Sequence, residues 1–291
     1  MFSILPCFDS VEIAASRRRE LDIPRNVATA LGRSAVEAAA NGYYVYGAGK
    51  KVDWSRYVRA ACAAKVSIPP SAILPARESI TFPETRIQVA NETTLGASRR
   101  FVDSGLKPLA LNFANGIHPG GGFLGGARAQ EEVLCRSSAL YQTLVNDRMY
   151  EEHRRPPRPD STDWAIYSPD VPVFRTDDGR ELEHPWLLSF ITCAAPYASA
   201  LGQPEAGDLL RRRIHRALAI AWAYGHTALV LGAWGCGAFG NDVYRTAVDF
   251  RQALEKEFNG VFSDIVFAIT DWSPERRFLG PFRKVFSPDD G

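Results

Sequence analysis

The chain has 291 residues, enough for one large domain or two small ones around a substantial core. With 34 Lys and Arg against 33 Asp and Glu, its net charge is +1, which excludes a global pull toward nucleic acid or an anionic membrane but allows a local basic cleft. No apolar run approaches the ~20 residues of a membrane span, and the start MFSILPCFDSVEIAASRRRE lacks the basic-then-apolar order of a secretory signal.

Residues 10–66 read as helical. IPRNVATALGRSAVEAAANGYY is Ala-rich, with Pro24 near its start and Asn41-Gly42 as a stop signal. A second helix, VDWSRYVRAACAAK, follows Gly47–Gly49, with Asp53 as its cap. SIPPSAILP reads as an extended link. The expected division is a helical accessory segment over 1–75 and a main domain over 76–291. RIQVAN is then a strand, NETTLGASRRFVDSG a helix stopped by Gly105, and PLALNFAN a buried strand. EEVLCRSSALYQTLVND predicts one helix, with Leu134, Ser138, Tyr141 and Val145 on one face. HRRPPRPDSTD (153–163) reads as an exposed loop. Strands in WAIYSPDVPVF and PWLLSFITCAAPY, the amphipathic helix GDLLRRRIHRALAIAWAYG, the strand TALVLGAW, the helix NDVYRTAVDFRQALEKEF and the strand DIVFAITDW complete the order. This alternation predicts a three-layer α/β/α domain with a mixed sheet, and ligands bind such sheets beyond the strand carboxyl ends.

Two glycine-rich segments fall at such ends. In GAWGCGAFGND, Gly235, Gly237 and Gly240 spell G-x-G-x-x-G between strand and helix, where backbone N–H groups and the helix N-terminus favour a phosphate. The same residues suit a tight turn. A Rossmann nicotinamide site would need an acidic residue about 20 positions on, and Asp271 lies too far along. In NFANGIHPGGGFLGGARAQEEV, Gly120, Gly121 and Gly122 can wrap a ligand closely. Gln130, Glu131 and Glu132 follow, with Glu131 and Glu132 in the first turn of the next helix, where the dipole favours carboxylates. A surface helix start would also favour this glutamate pair.

The triple glycine, seven residues, then QEE resembles the signature of the compact bacterial poly(ADP-ribose) glycohydrolases, which are macrodomain proteins. VANETTLGASR, IYSPDVPVF and ALVLGAWGCGAFGND are similar to that family's blocks in the same order, over roughly 86–272. The resemblance implies a macrodomain-like fold and hydrolysis of the ribose–ribose O-glycosidic bond of poly(ADP-ribose), releasing ADP-ribose. It implies Glu132 as the catalytic residue, with Glu131 binding the terminal ribose and positioning it. It also implies a ribose contact from Asn115 and close packing from Gly120, Gly121 and Gly122, with Gln130 beside them. The diphosphate would lie on the backbone from Gly235 through Cys236, Gly237 and Ala238 to Phe239, ahead of Gly240, with Phe239 packed on the ribose. Adenine contacts do not carry over; Asp271 and Trp272 are the candidates.

Adjacent helical residues point about 100° apart, so Glu131 and Glu132 do not straddle one bond. A single glutamate then serves as acid and base. Burial favours its protonated form and the helix N-terminus opposes it. No cofactor or metal is expected, since the five cysteines show neither CxxC nor zinc spacing and read as reduced thiols of a cytoplasmic protein. His118 is a weak second base, Cys236 a weak nucleophile, and Arg211–Arg213 and Arg17–Arg19 read as solvated faces. Alternatives are a hydrolase of mono-ADP-ribosylated protein or nucleic acid, a non-catalytic ADP-ribose module and a nicotinamide oxidoreductase.

Overall fold

The computed structural model describes residues 1–77, 81–155 and 160–287. Strand β1 (Phe2–Ile4) leads into α1 (Val11–Leu21) and α2 (Arg25–Asn41), which Gly42 ends at φ 75°. A hairpin of β2 (Tyr43–Tyr46) and β3 (Lys50–Asp53) precedes α3 (Ser55–Ala64) and β4 (Val66–Ile68). Next come β5 (Thr85–Ala90), α4 (Thr94–Asp103), β6 (Pro108–Ala114), α5 (Gln130–Ser137), α6 (Leu140–Leu144) and α7 (Arg148–His153). The long pair β7 (Ala165–Arg175) and β8 (Glu181–Ala194) is followed by α8 (Ala198–Leu201) and α9 (Glu205–Ala223). The described chain closes with β9 (Ala228–Leu231), α10 (Val243–Glu255), β10 (Asp264–Ala268) and α11 (Leu279–Val285).

The main sheet runs β1-β5-β10-β9-β6-β8-β7-β4. Pairing is parallel from β1 to β8 and antiparallel for β8–β7 and β7–β4, so the sheet is mixed, as expected. Strand alternation feeds two separate cores. Leu109, Leu111, Leu229 and Leu231 face the layer of α9, α10 and α11, whereas Ala110 and Val230 face the layer of α2 to α7. These are the three α/β/α layers. No helix among the described residues is long and apolar enough to cross a membrane.

Several expectations change. The run 10–66 is not wholly helical. The hairpin occupies 43–53, because Gly47 and Gly49 turn the chain at positive φ while Tyr44 packs on Trp54 and Phe174. Asp53 still serves α3, accepting the Ser55 N–H at 2.9 Å. The single helix expected over 131–147 breaks at Ser138, which is extended (φ −146°, ψ 177°) and bridges Val173 of β7. In 153–163, His153 and Ser161 are buried, and 156–159 lie outside the described residues. Arg213 leaves the expected solvated face. It is 1% exposed, with Nε 3.1 Å from Asp163 Oδ1 and Nη1 donating to Ala194 O at 2.9 Å.

Candidate active site

Both glycine loops lie beyond the carboxyl ends of parallel strands, after β6 and after β9. Between them is a cavity of about 480 Å³, walled by Asn115, Glu131, Glu132, Trp234, Gly235 and Phe239 among others. Helix α5 presents the two glutamates in its first turn. Its start is tied to β6 by Gln130, whose Nε2 donates to Leu111 O (2.7 Å) and Thr94 Oγ1 (3.1 Å) and whose Oε1 accepts from Phe113 N–H (2.9 Å). The Gln130 amide is thus fully engaged with the protein.

The two carboxylates turn to different structures. Glu131 faces back to β6, where Oε2 accepts the Asn115 N–H at 2.7 Å and Oε1 accepts Asn112 Nδ2 at 3.3 Å. Burial pushes its pKa up to about 8 against these donors, and the neighbouring Glu132 charge adds to the rise. Glu132 faces the glycine loop. Its Oε1 accepts the Gly122 N–H at 2.9 Å, while its Oε2 makes no hydrogen bond among the described residues.

The loop's composition follows from that approach. Gly120 and Gly121 have φ of 74° and 59°, and a Cβ on Gly121 would fall on Glu132 Oε1. Asn115 Oδ1 accepts the Ile117 and His118 N–H groups, both at 2.9 Å, folding the loop over. His153 braces it from below. Its Nε2 accepts the Thr162 N–H, so Nδ1 donates to Gly116 O at 2.8 Å, and burial lowers its pKa. His118 is exposed and absent from the cavity wall.

In the second loop, Gly235 and Gly240 turn at φ 75° and 72°. The Cys236 N–H donates to Ala233 O and the Gly240 N–H to Gly237 O. The N–H groups of Gly235, Gly237, Ala238 and Phe239 find no internal acceptor among the described residues. A run of free amides is an anion seat. The helix dipole contributes less than the sequence suggested, because the Asp242 carboxylate already caps α10 through the Arg245 N–H at 2.8 Å. Cys236 turns its thiol inward, 3.5 Å from Thr246 Oγ1, and burial raises its pKa to about 12, which is wrong for a nucleophile. Asp271 is spent on the N–H groups of Ser273, Phe278 and Leu279, whereas Trp272 lines the cavity. With Asp271 so engaged, the nicotinamide reading has no acidic partner at the end of β10.

Comparison with known proteins places this arrangement. The family model described as microbial-type PARG, catalytic domain, matches residues 32–176. The crystal structure of poly(ADP-ribose) glycohydrolase (PARG) from Thermomonospora curvata is 40% identical, with a TM-score of 0.84, and the match covers 89% of this chain and 99% of that one. This chain belongs to the microbial-type poly(ADP-ribose) glycohydrolases. The T. curvata glycohydrolase bound to the inhibitor ADP-HPD matches at 39% identity over the same shares, with a TM-score of 0.82. The glycohydrolase from Deinococcus radiodurans in complex with ADP-ribose is 39% identical with a TM-score of 0.71, covering 78% of this chain and 96% of that one. Among curated proteins nothing matches.

Sequence reasoning overlooked several walls of the glycohydrolase cavity. Thr93, Asp177, Ala195, Ile269 and Phe278 all line it. Thr93, Ala195 and Ile269 just follow β5, β8 and β10, so the strand-end rule could have found them. Asn112, which holds Glu131, carried a signal too, as a polar residue inside an apolar strand.

Proposed function

We infer that this glycohydrolase cleaves the ribose–ribose O-glycosidic bond of poly(ADP-ribose) and releases ADP-ribose, with Glu132 as the single general acid and base. One observation carries the assignment of roles. Both oxygens of Glu131 are held by β6 and the residue that follows it, whereas Glu132 has one oxygen fixed by Gly122 and one without a protein partner among the described residues. A proton donor needs such an oxygen on the substrate side. Glu131 shapes the ribose seat with Asn115, whose Nδ2 makes no hydrogen bond among the described residues.

The free amides from Gly235 to Phe239 suit the diphosphate. Phe239, met edge-on by Tyr197 at 5.7 Å, forms an apolar wall for the terminal ribose. In the reaction, the C1–O glycosidic bond breaks and the leaving ribose oxygen takes the Glu132 proton. Water then bonds to C1 and returns a proton to Glu132. The diphosphate, held close, steadies the positive charge that develops at C1. Gln130 acts by fixing α5 to β6, and Cys236 and Gly240 by shaping their loop.

The same reading keeps 76–291 as the catalytic unit and 1–75 as its accessory segment, because every assigned side chain follows residue 75. A cytoplasmic location agrees with the five cysteines being free thiols. The test is Glu132→Gln. It should bind ADP-ribose like the parent and release it from polymer at least ~10²-fold more slowly. Turnover within a few-fold of the parent would remove Glu132 from the role.

A further inference from the structure

The cavity continues beyond the groups assigned so far. Its wall also takes in Leu21 at the end of α1, Thr93 at the start of α4 and Asp177 in the turn between β7 and β8. Beside Asp177 lies Arg136, one helical turn past Glu132 on α5 and 1% exposed. Its guanidinium feels the charge of Asp177 and of Glu132. Yet none of its three nitrogens makes a hydrogen bond among the described residues, and neither do Asp177 Oδ1, Glu132 Oε2 or Arg17 Nε. Asp177 Oδ2 accepts from Thr93 Oγ1 at 2.8 Å, and Arg17 Nη1 meets Glu20 Oε2 at 2.7 Å.

A buried guanidinium and a buried carboxylate are too costly to leave unsolvated. Donors from Arg17 and Arg136 and acceptors from Glu20, Asp177 and Glu132 lie within electrostatic reach of one another behind that wall. An anion would suit the arginines and be repelled by the acids, and a cation the reverse. Only a species that both donates and accepts serves every wall, and water is the smallest. Hydrolysis also consumes one water per bond, while substrate seated between Asn115 and the Gly235 loop fills the main opening.

We propose that the arm formed by Arg17, Glu20, Thr93, Asp177 and Arg136 is a buried water file that delivers the hydrolytic water to Glu132. The idea rests on the glycohydrolase reading. Water enters between α1 and the β7–β8 turn, passes Asp177 and Arg136, and reaches Glu132 Oε2. There its oxygen bonds to C1 and its proton goes to Glu132. An alcohol from bulk solvent competes at C1 by the same chemistry, forming an O-alkyl ADP-ribose and giving its proton to Glu132.

Methanol competition therefore reads the route. Poly(ADP-ribose) is incubated with enzyme in methanol-containing buffer, and ADP-ribose and O-methyl ADP-ribose are quantified. Asp177→Leu and Glu20→Leu each replace one acceptor of the arm with an apolar group; Glu20 is half-buried on α1, so its replacement spares the core. Both variants should lose about tenfold in kcat, keep the parental affinity for ADP-ribose and give a several-fold larger methylated share. Asp177→Asn, which keeps a polar group in place, should restore the parental share. If Asp177→Leu does not fold, Glu20→Leu decides. Parental product ratios in the folded leucine variants would overturn the water file, as would ADP-ribose affinity falling in step with kcat. A parent enzyme that releases no ADP-ribose would overturn the glycohydrolase reading as well, which separates the two failures.

Discussion

Neighbouring glutamates differ here because the backbone around them differs. Glu131 is held by the Asn115 amide just past β6 and by the strand-borne Asn112, inside the fold, and burial pushes its pKa up to about 8. Such a raised value has a signed consequence for stability. The folded state binds a proton that the unfolded chain has lost above its ordinary carboxylate range. The stabilisation is therefore complete below about pH 4.5 and disappears as pH rises through about 8. Glu131→Gln abolishes that titration. Its thermal midpoint should gain on the parent by about 5 °C between mildly acid and alkaline pH, a difference on the order of a few kcal/mol. Thermal melts across that range check this, and parallel curves for the two proteins would contradict it.

At the scale of elements, helix α5 is short and has no side-chain cap at Ala129, so its placement depends on contacts to β6. Gln130 supplies two of them and a third bond to Thr94 of α4. Gln130→Ala should cost about 2–3 kcal/mol, because it strands the Phe113 N–H and the Leu111 carbonyl beneath the helix. Denaturant unfolding measures that loss, and a change under about 0.5 kcal/mol would show the tie to be dispensable. The sequence placed Glu131 and Glu132 in a first helical turn correctly, because local charge and the preceding glycines mark it, though the helix begins one residue earlier at Gln130. It did not show that α5 ends at Ser138. The apolar spacing continues through Tyr141 and Val145, and only the bridge to Val173, some 35 residues later, breaks the helix. The β2–β3 hairpin was hidden for a similar reason. Its Tyr-rich strand is fixed by Trp54 and Phe174 rather than by a local alternation. The buried arginines were illegible too, since the acids that face them come from distant turns: Asp163 for Arg213, Asp177 for Arg136.

Across the whole molecule, the proposed accessory segment carries more of the fold than its sequence position suggests. Residues 1–75 supply both outer strands of the main sheet, β1 against β5 and β4 against β7. Helix α2 lies on the first glycine loop so closely that a Cβ on Gly32 would come within 2.8 Å of Phe123 O, and Arg25 Nε donates to Gly125 O at 2.8 Å. Arg175 reaches back to Leu31 O at 2.9 Å, and the fully buried Trp54 packs at a tilt on Phe174, ring centroids 4.5 Å apart. Each large apolar side chain uncovered costs about 1.5–3 kcal/mol, and a domain is stable by only about 5–15 kcal/mol. Exposing Phe123, Phe174 and Leu134 together, with a bare β7 edge beside them and a bare β5 edge at the far side of the sheet, consumes most of that margin. A chain limited to 76–291 should therefore be aggregation-prone, without a cooperative melt and without ADP-ribose affinity. Size-exclusion chromatography and circular dichroism would read this directly. A monomeric fragment with a sharp transition would instead establish that the catalytic unit folds alone and that the first 75 residues are an addition to it.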